Sequence, residues 1–206
     1  IGFAPFAMQI AGSLVQGTFN TQLIKFGGDI AVGAMGIINS VAMLIVMSII
    51  AINMAAQPIF GYSYGAKQYD RLKETLRVCL LAATTISVVG FVAVELFPSA
   101  IIKLFNNSSE ELLTIGKQGI RIFFAAFPIV GFQVITSNYF QSTGKAGKAA
   151  FLSLLRQVIV LIPARVFLPK IWGLQGVWIA SPVADIIAAA ISATLLVREL
   201  KRLNQM

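Results

Sequence analysis

The sequence predicts an all-α membrane protein, a bundle of six transmembrane helices, and three observations support this. The chain carries no charged side chain from Ile30 to Ala66, which is long enough for one crossing of about 20 residues and an apolar connector. Hydrophobic residues make up 57% of the 206 residues and charged residues only 12%, against about 25% in soluble domains. The apolar runs are long and continuous rather than alternating, which indicates helices instead of barrel strands.

The six predicted spans form a single lobe over residues 1–206, joined by short connectors. These connectors are rich in Gly, Asn and Ser, which favour turns, for example at Gly27-Gly28-Asp29 and Trp172-Gly173. The predicted spans are residues 1–24, 30–60, 78–97, 117–141, 149–168 and 174–197.

The residue types exclude several classes of function. The chain has no His and one Cys, Cys79, which argues against histidine bases, His/Cys metal sites and internal disulfides. Gly144-Lys145 lacks the glycine-rich cradle and the following Ser or Thr of a nucleotide-binding loop. We therefore expect no metal and no cofactor.

The basic residues predict the orientation in the membrane. The net charge of +8 fits Lys and Arg in cytoplasmic loops better than a nucleic-acid partner. An even number of spans places both termini on one side, and that side has more Lys and Arg than the other. Both termini are therefore predicted to be cytoplasmic, in a multi-pass protein of the cell membrane. The residues on that side are Lys67, Arg71, Lys73, Arg77, Lys145, Lys148, Arg198, Lys201 and Arg202.

An elbow is predicted where span two ends. Pro58 should bend or end the helix, and Gly61 and Gly65 permit a tight backbone. The basic stretch that follows is expected to form an interfacial helix at the lipid headgroups.

Several segments of this chain resemble the multidrug and toxic compound extrusion (MATE) family in their residues and in their order. Its six-helix lobes have a Gly-Ala-Lys-rich loop after the second span, and the Gln-Pro form found here resembles the C-terminal lobe. The segments that carry the resemblance are 55–73, Gln141-Ser142-Thr143-Gly144-Lys145, Leu154-Leu155-Arg156-Gln157, 173–178 and Arg198-Glu199-Leu200-Lys201.

The resemblance implies that the chain is half of a twelve-helix secondary antiporter. Such a transporter exports small organic compounds, cationic or amphipathic, by alternating access between two lobes. Because this transport is noncovalent, the resemblance implies no catalytic residue, and the chain is not predicted to be an enzyme. A proton or Na⁺ gradient drives it. Besides the lipid bilayer, the expected partner is an N-terminal six-helix lobe of the same protein or a second copy of this one.

Three ionisable residues lie inside the predicted spans, where charge is costly and often functional. Asp185 lies in span six, and Arg156 and Arg165 lie in the antiparallel span five, one deeper and one shallower. Either arginine is expected to reach Asp185. The group is therefore predicted to be a buried charge pair or an ion site, and the sequence leaves both interpretations open.

Amides in the spans are candidates for the wall of a substrate cavity. Polar side chains in membrane helices either bond helices together or line a wet cavity. The resemblance places the first, second and fourth helices of a lobe at the central cleft. The predicted cavity residues are therefore Gln16, Asn20, Asn39, Gln133 and Asn138.

Acidic residues are missing where the resemblance would place a cation site. Some members of the family use acids on the first and fourth helices of this lobe, but spans one and four here contain no Asp or Glu. A coupling carboxylate is therefore expected in the other lobe.

Glu95, near the outer end of span three, is expected to pair with Lys103.

Pro128, midway in span four, is predicted to give the clearest kink. A proline removes one backbone hydrogen bond of the helix and softens it. The sequence allows both a hinge for the rocking motion and a static kink.

Two other functions remain open. A lobe of a lipid-linked oligosaccharide flippase would need several cations facing the cleft, and Arg121 and Arg156 are the candidates. A self-contained six-helix channel or scaffold is the third interpretation.

Overall fold

The computed structural model describes residues 3–106 and 109–203, with the side chains of residues 3–9 and 11 excepted. Over these residues the chain is helical and contains no strand. The elements are α1 (Phe3–Gly65), α2 (Tyr69–Leu96), α3 (Pro98–Phe105), α4 (Glu110–Phe124), a 3₁₀ turn (Phe127–Ile129), α5 (Val130–Ser142), α6 (Ala146–Leu154), a π-helix (Leu155–Leu161) and α7 (Ile162–Leu203).

Two glycines break the longest helices. Gly28 has φ 63° and ψ −166° within α1, and Gly173 has φ 56° and ψ −136° within α7. Both lie in the positive-φ region that glycine adopts most readily. Four helical stretches are long and apolar enough to cross a membrane, and these breaks divide the first and the last of them. The all-helical membrane class is confirmed; that six segments each cross the bilayer stays a prediction.

The elbow differs in part from the prediction, which allowed Pro58 either to bend the helix or to end it. Pro58 lies inside α1 without ending it, and the helix continues to Gly65. The basic stretch that follows is not a separate interfacial helix, because it forms the first turns of α2 from Tyr69 onward. Leu72 and Leu76 explain this, since both are buried in the core and hold that part of α2 against the bundle.

The core consists of two main clusters. One lies near the glycine breaks, around Met35, Ile120 and Trp178, and the other lies near the elbow, around Phe60 and Tyr139. In a bilayer, helices associate through close packing rather than by removing apolar surface from water. Gly131 of α5 illustrates this, since a Cβ there would lie 2.5 Å from the carbonyl oxygen of Ala83 in α2.

Span four is interrupted where the kink is predicted. The α-helix α4 ends at Phe124, and α5 begins at Val130, after the 3₁₀ turn that contains Pro128. The interruption separates a half-helix that starts at Glu110 from one that ends at Ser142. A hinge role for Pro128 stays a prediction.

Candidate functional site

An inner charge cluster, formed by Arg156, Arg165 and Asp185, lies between the last two spans. Asp185 is only 4% exposed, and its Oδ1 lies 2.5 Å from Nε of Arg156. Gln133 of α5 also donates from its side-chain amide to the backbone carbonyl of Asp185. The structure therefore pairs Asp185 with Arg156, one of the two arginines that the sequence offers.

Arg165 has different partners. It is 5% exposed, and its Nη1 donates to the carbonyl oxygen of Val15 at 3.2 Å. Nη2 lies 3.5 Å from the hydroxyl of Ser181, and Cζ lies 3.8 Å from the ring centre of Phe19. No carboxylate of the described residues lies within ion-pair distance of it. A buried arginine held by neutral groups ties span one to the last two spans.

Arg156 lies in a π-helix. The segment Leu155–Leu161 follows α6 directly and leads into α7 without a loop. Short π-helical segments are rare within α-helices and often occur at functional sites. Sequence reasoning did not predict this one, because no residue type marks a π-turn.

Two cavities share Arg156 and Gln157 in their walls. The larger, of about 230 Å³, is also lined by Arg165, Ser181 and Asp185. The smaller, of about 100 Å³, lies against α5 and is lined by apolar side chains together with Gln133 and three serines. These polar groups can hydrogen-bond a molecule without forming covalent bonds to it.

The five predicted cavity residues differ in how exposed they are within this lobe. Gln133 is buried and lines the smaller cavity. Asn138 is also buried, but its amide donates to the carbonyl oxygen of Asn53 at 3.1 Å and so joins α5 to α1. Asn39 is half-buried, and Gln16 and Asn20 are exposed on α1. A role of all five in substrate binding stays a prediction.

The sequence predicts that Glu95 pairs with Lys103, and this prediction is wrong. Its carboxylate lies 3.5 Å from Nε of Arg121, whose Nη2 also donates to the Glu95 carbonyl at 3.3 Å. The reason is that α4 packs alongside α2, whereas Lys103 lies exposed on the separate short helix α3.

A rim charge cluster, formed by Lys145, Lys148 and Glu199, was missed by sequence reasoning. Glu199 is buried, and its two carboxylate oxygens receive bonds from Lys145 and Lys148, the latter at 3.1 Å. Lys145 also lies over the ring of Tyr64, 4.6 Å from its centre. The signal was present in the sequence, because Glu199 is an acid among basic residues on the side predicted to be cytoplasmic.

Known proteins resemble this chain in sequence and in fold. The MatE family model matches residues 6–166. Among curated proteins, the probable multidrug resistance protein YoeA of Bacillus subtilis is 26% identical over 76% of this chain and 34% of its own length. The multidrug export protein MepA of Staphylococcus haemolyticus is 21% identical over 92% of this chain and 41% of its own.

A solved structure shows the same likeness. The MATE multidrug transporter DinF-BH superposes with a TM-score of 0.84 at 38% identity, over 96% of this chain and 44% of that one. The chain thus spans less than half the length of the relatives that it matches. Because the family model covers most of its residues, the chain belongs to the MatE family of multi-pass membrane transporters.

Proposed function

We propose that this chain is one lobe of a multidrug efflux antiporter that works by alternating access against a second six-helix lobe. The observation that carries this is the family match over residues 6–166, together with relatives named as a probable multidrug resistance protein and a multidrug export protein. A proton or Na⁺ gradient drives the transport, small cationic or amphipathic organic compounds are the substrates, and both termini face the cytoplasm.

The cavities beside the inner charge cluster support a binding role for this lobe. Their walls combine amide, hydroxyl and guanidinium groups with apolar side chains such as Val130 and Leu161. Binding sites for small organic molecules typically have such mostly apolar walls with a few polar groups. The second lobe, earlier in the same protein or supplied by another copy, completes the pathway.

The test is efflux of the dye rhodamine 6G from drug-sensitive cells. The cells express either the complete open reading frame that encodes this chain or residues 1–206 alone, with and without a protonophore or a Na⁺ ionophore. We expect export by the complete product only, lost when the driving gradient collapses. Export by residues 1–206 alone would instead indicate a self-assembling lobe, and no export by either would contradict the proposal.

A matched pair of variants links export to the cavity. Gln133→Leu removes an amide from the cavity wall and should lower export, whereas Gln118→Leu alters an amide on α4 that lines neither cavity and should not. Equal export by both variants would remove Gln133 from the transport site.

The flippase alternative has less support. It needs several cations facing the cleft, but Arg121 bonds to Glu95 and lines neither cavity. Of the two candidates only Arg156 lines the cavities, so one of the two candidate cations is left for such a site.

A further inference from the structure

We propose that the cavity of about 230 Å³ at the inner charge cluster binds the carboxylate group of an organic substrate. The inference rests on the proposed function and names a substrate class for this lobe: amphipathic compounds that carry an acidic group. Three features of the cavity lead to it, namely its charge, the bonding of Arg165 and its size.

The first feature is an excess of positive charge. Two guanidinium groups, of Arg156 and Arg165, line the cavity with one carboxylate, that of Asp185, and the rest of its lining is uncharged. Residues 1–24, which pass beside it at Gly12 and Val15, contain no Asp or Glu in the sequence. Because arginine stays protonated in proteins, this chain leaves one positive charge uncompensated at the cavity.

The second feature is the bonding of Arg165. Its partners are a carbonyl, a hydroxyl and an aromatic ring, all of them neutral. Its Nε is buried and has no hydrogen-bond partner within the part of the chain that the structure describes. A buried charged donor without a partner is costly, and because Arg165 lines the cavity, an anion bound there compensates the charge of its guanidinium.

Arg156 supports the same ligand from the other side. The ion pair with Asp185 uses Nε, and the side chain of Arg156 is 38% exposed at the cavity. A guanidinium group offers five N–H donors whose planar arrangement matches a carboxylate. Together, Arg156 and Arg165 present a site for a planar oxyanion.

The third feature is the size of the cavity. At about 230 Å³ it is smaller than the roughly 300–1,000 Å³ of pockets that hold whole drug-sized molecules. It therefore suits the charged end of a substrate. The smaller cavity, which shares Arg156 and Gln157 and is lined by Val130, Val134 and Leu152, is placed to receive an apolar part.

The experiment compares rhodamine 6G with its free acid, which differ only in the ethyl ester of the carboxyl group. Binding of each dye to the purified full-length protein is measured by fluorescence polarisation at neutral pH. We expect the free acid to bind about tenfold more tightly than the ester, the effect of one charge-assisted hydrogen bond. Equal affinity, tighter binding of the ester, or no binding of the acid would overturn the proposal.

Two variants test whether the difference in affinity between the acid and the ester arises at this cavity. Arg165→Met should remove the roughly tenfold preference for the acid over the ester, because only the acid carries a negative charge that pairs with the guanidinium. Arg121→Gln, an arginine outside both cavities, is the matched control and should leave that preference unchanged. If Arg165→Met does not fold, competition on the unaltered protein decides: benzoate should displace the acid, and tetraethylammonium should not.

A lipid headgroup is the other source of an oxyanion. If phosphatidylglycerol displaces the acid while benzoate does not, the site belongs to lipid, and the assignment to a substrate is wrong. The outcome is separate from that of the efflux test, which uses the cationic ester. Export of the ester without preference for the acid would leave the proposed function intact and remove only this inference.

Discussion

The inner and rim charge clusters contain the same kinds of groups, one carboxylate and two cations, but bond them differently. At the rim, each oxygen of Glu199 meets its own lysine. In the inner cluster Asp185 forms an ion pair with Arg156 alone, and Arg165 hydrogen-bonds to neutral partners. The rim carboxylate is fully bonded, whereas the inner cluster keeps an arginine without an acid.

Location explains why both arrangements exist. Lys148 is 42% exposed, so the surplus charge of the rim cluster can reach water. Arg165 is only 5% exposed, so its surplus charge has much less access to water. The comparison indicates that the rim cluster is a structural clamp of the connector around Lys145 onto the end of α7, and that the inner cluster is open to a ligand.

Removing the inner carboxylate should have the largest effect. Asp185→Asn leaves two arginines side by side in the bundle, and we expect the free energy of unfolding to fall by about 3 kcal/mol. The measurement is the thermal midpoint of the purified full-length protein in detergent. Arg156→Gln in the same chain should recover most of the loss, because it removes one unpaired cation.

The control for this variant is Asp70→Asn, which breaks an exposed pair with Lys73 and should leave the midpoint nearly unchanged. If Asp185→Asn behaved like this control, the inner pair would not contribute to stability.

Removing the rim carboxylate should have a smaller effect. Glu199→Gln breaks two ion pairs, but the lysines can turn toward water, so we expect a loss of about 1–2 kcal/mol. The exposed Glu74→Gln is the matched control, read by the same thermal midpoint. A loss as large as that of Asp185→Asn would contradict the distinction between the clusters.

Substitutions of the two rim lysines should lower the stability by different amounts. Lys145 is 16% exposed and lies 4.6 Å from the ring centre of Tyr64, whereas Lys148 is 42% exposed and lies 5.3 Å from that of Phe140. We expect Lys145→Met to cost about 1 kcal/mol and Lys148→Met a few tenths, because an exposed pair contributes little. Thermal midpoints of the two variants check the order, and the reverse order would show that the contact with Tyr64 adds nothing.

Pro128→Ala should have the smallest effect on stability but should lower export. The break at Phe127–Ile129 precedes the helix whose Gln133 holds the backbone of Asp185 and whose end leads to Lys145. A continuous helix would stiffen that connection, so we expect export of rhodamine 6G by the full-length protein to fall several-fold with an unchanged thermal midpoint. Unchanged export would exclude the hinge.

Much of the architecture was predictable from local residue types. Gly28 and Gly173 lie at the predicted connectors, and the interruption of span four surrounds Pro128. The helix ends were less predictable: α2 begins at Tyr69, well before the predicted span, because a helix can extend past the hydrocarbon when its leucines pack against neighbours. Hydropathy indicates which residues lie in the hydrocarbon, but it does not indicate where the helix begins or ends.

By itself, the sequence determined the class of protein and the residues from which a site could be built. Backbone groups in lipid must be hydrogen-bonded within the protein, and a long continuous apolar run meets this requirement as a helix, whose bonds all lie within its own segment. Only the tertiary structure decided that Asp185 meets Arg156, that Glu95 meets Arg121 and that Glu199 holds two lysines. These pairings depend on how each helix is rotated about its axis, and a π-helix shifts that rotation without a signal in the residue types.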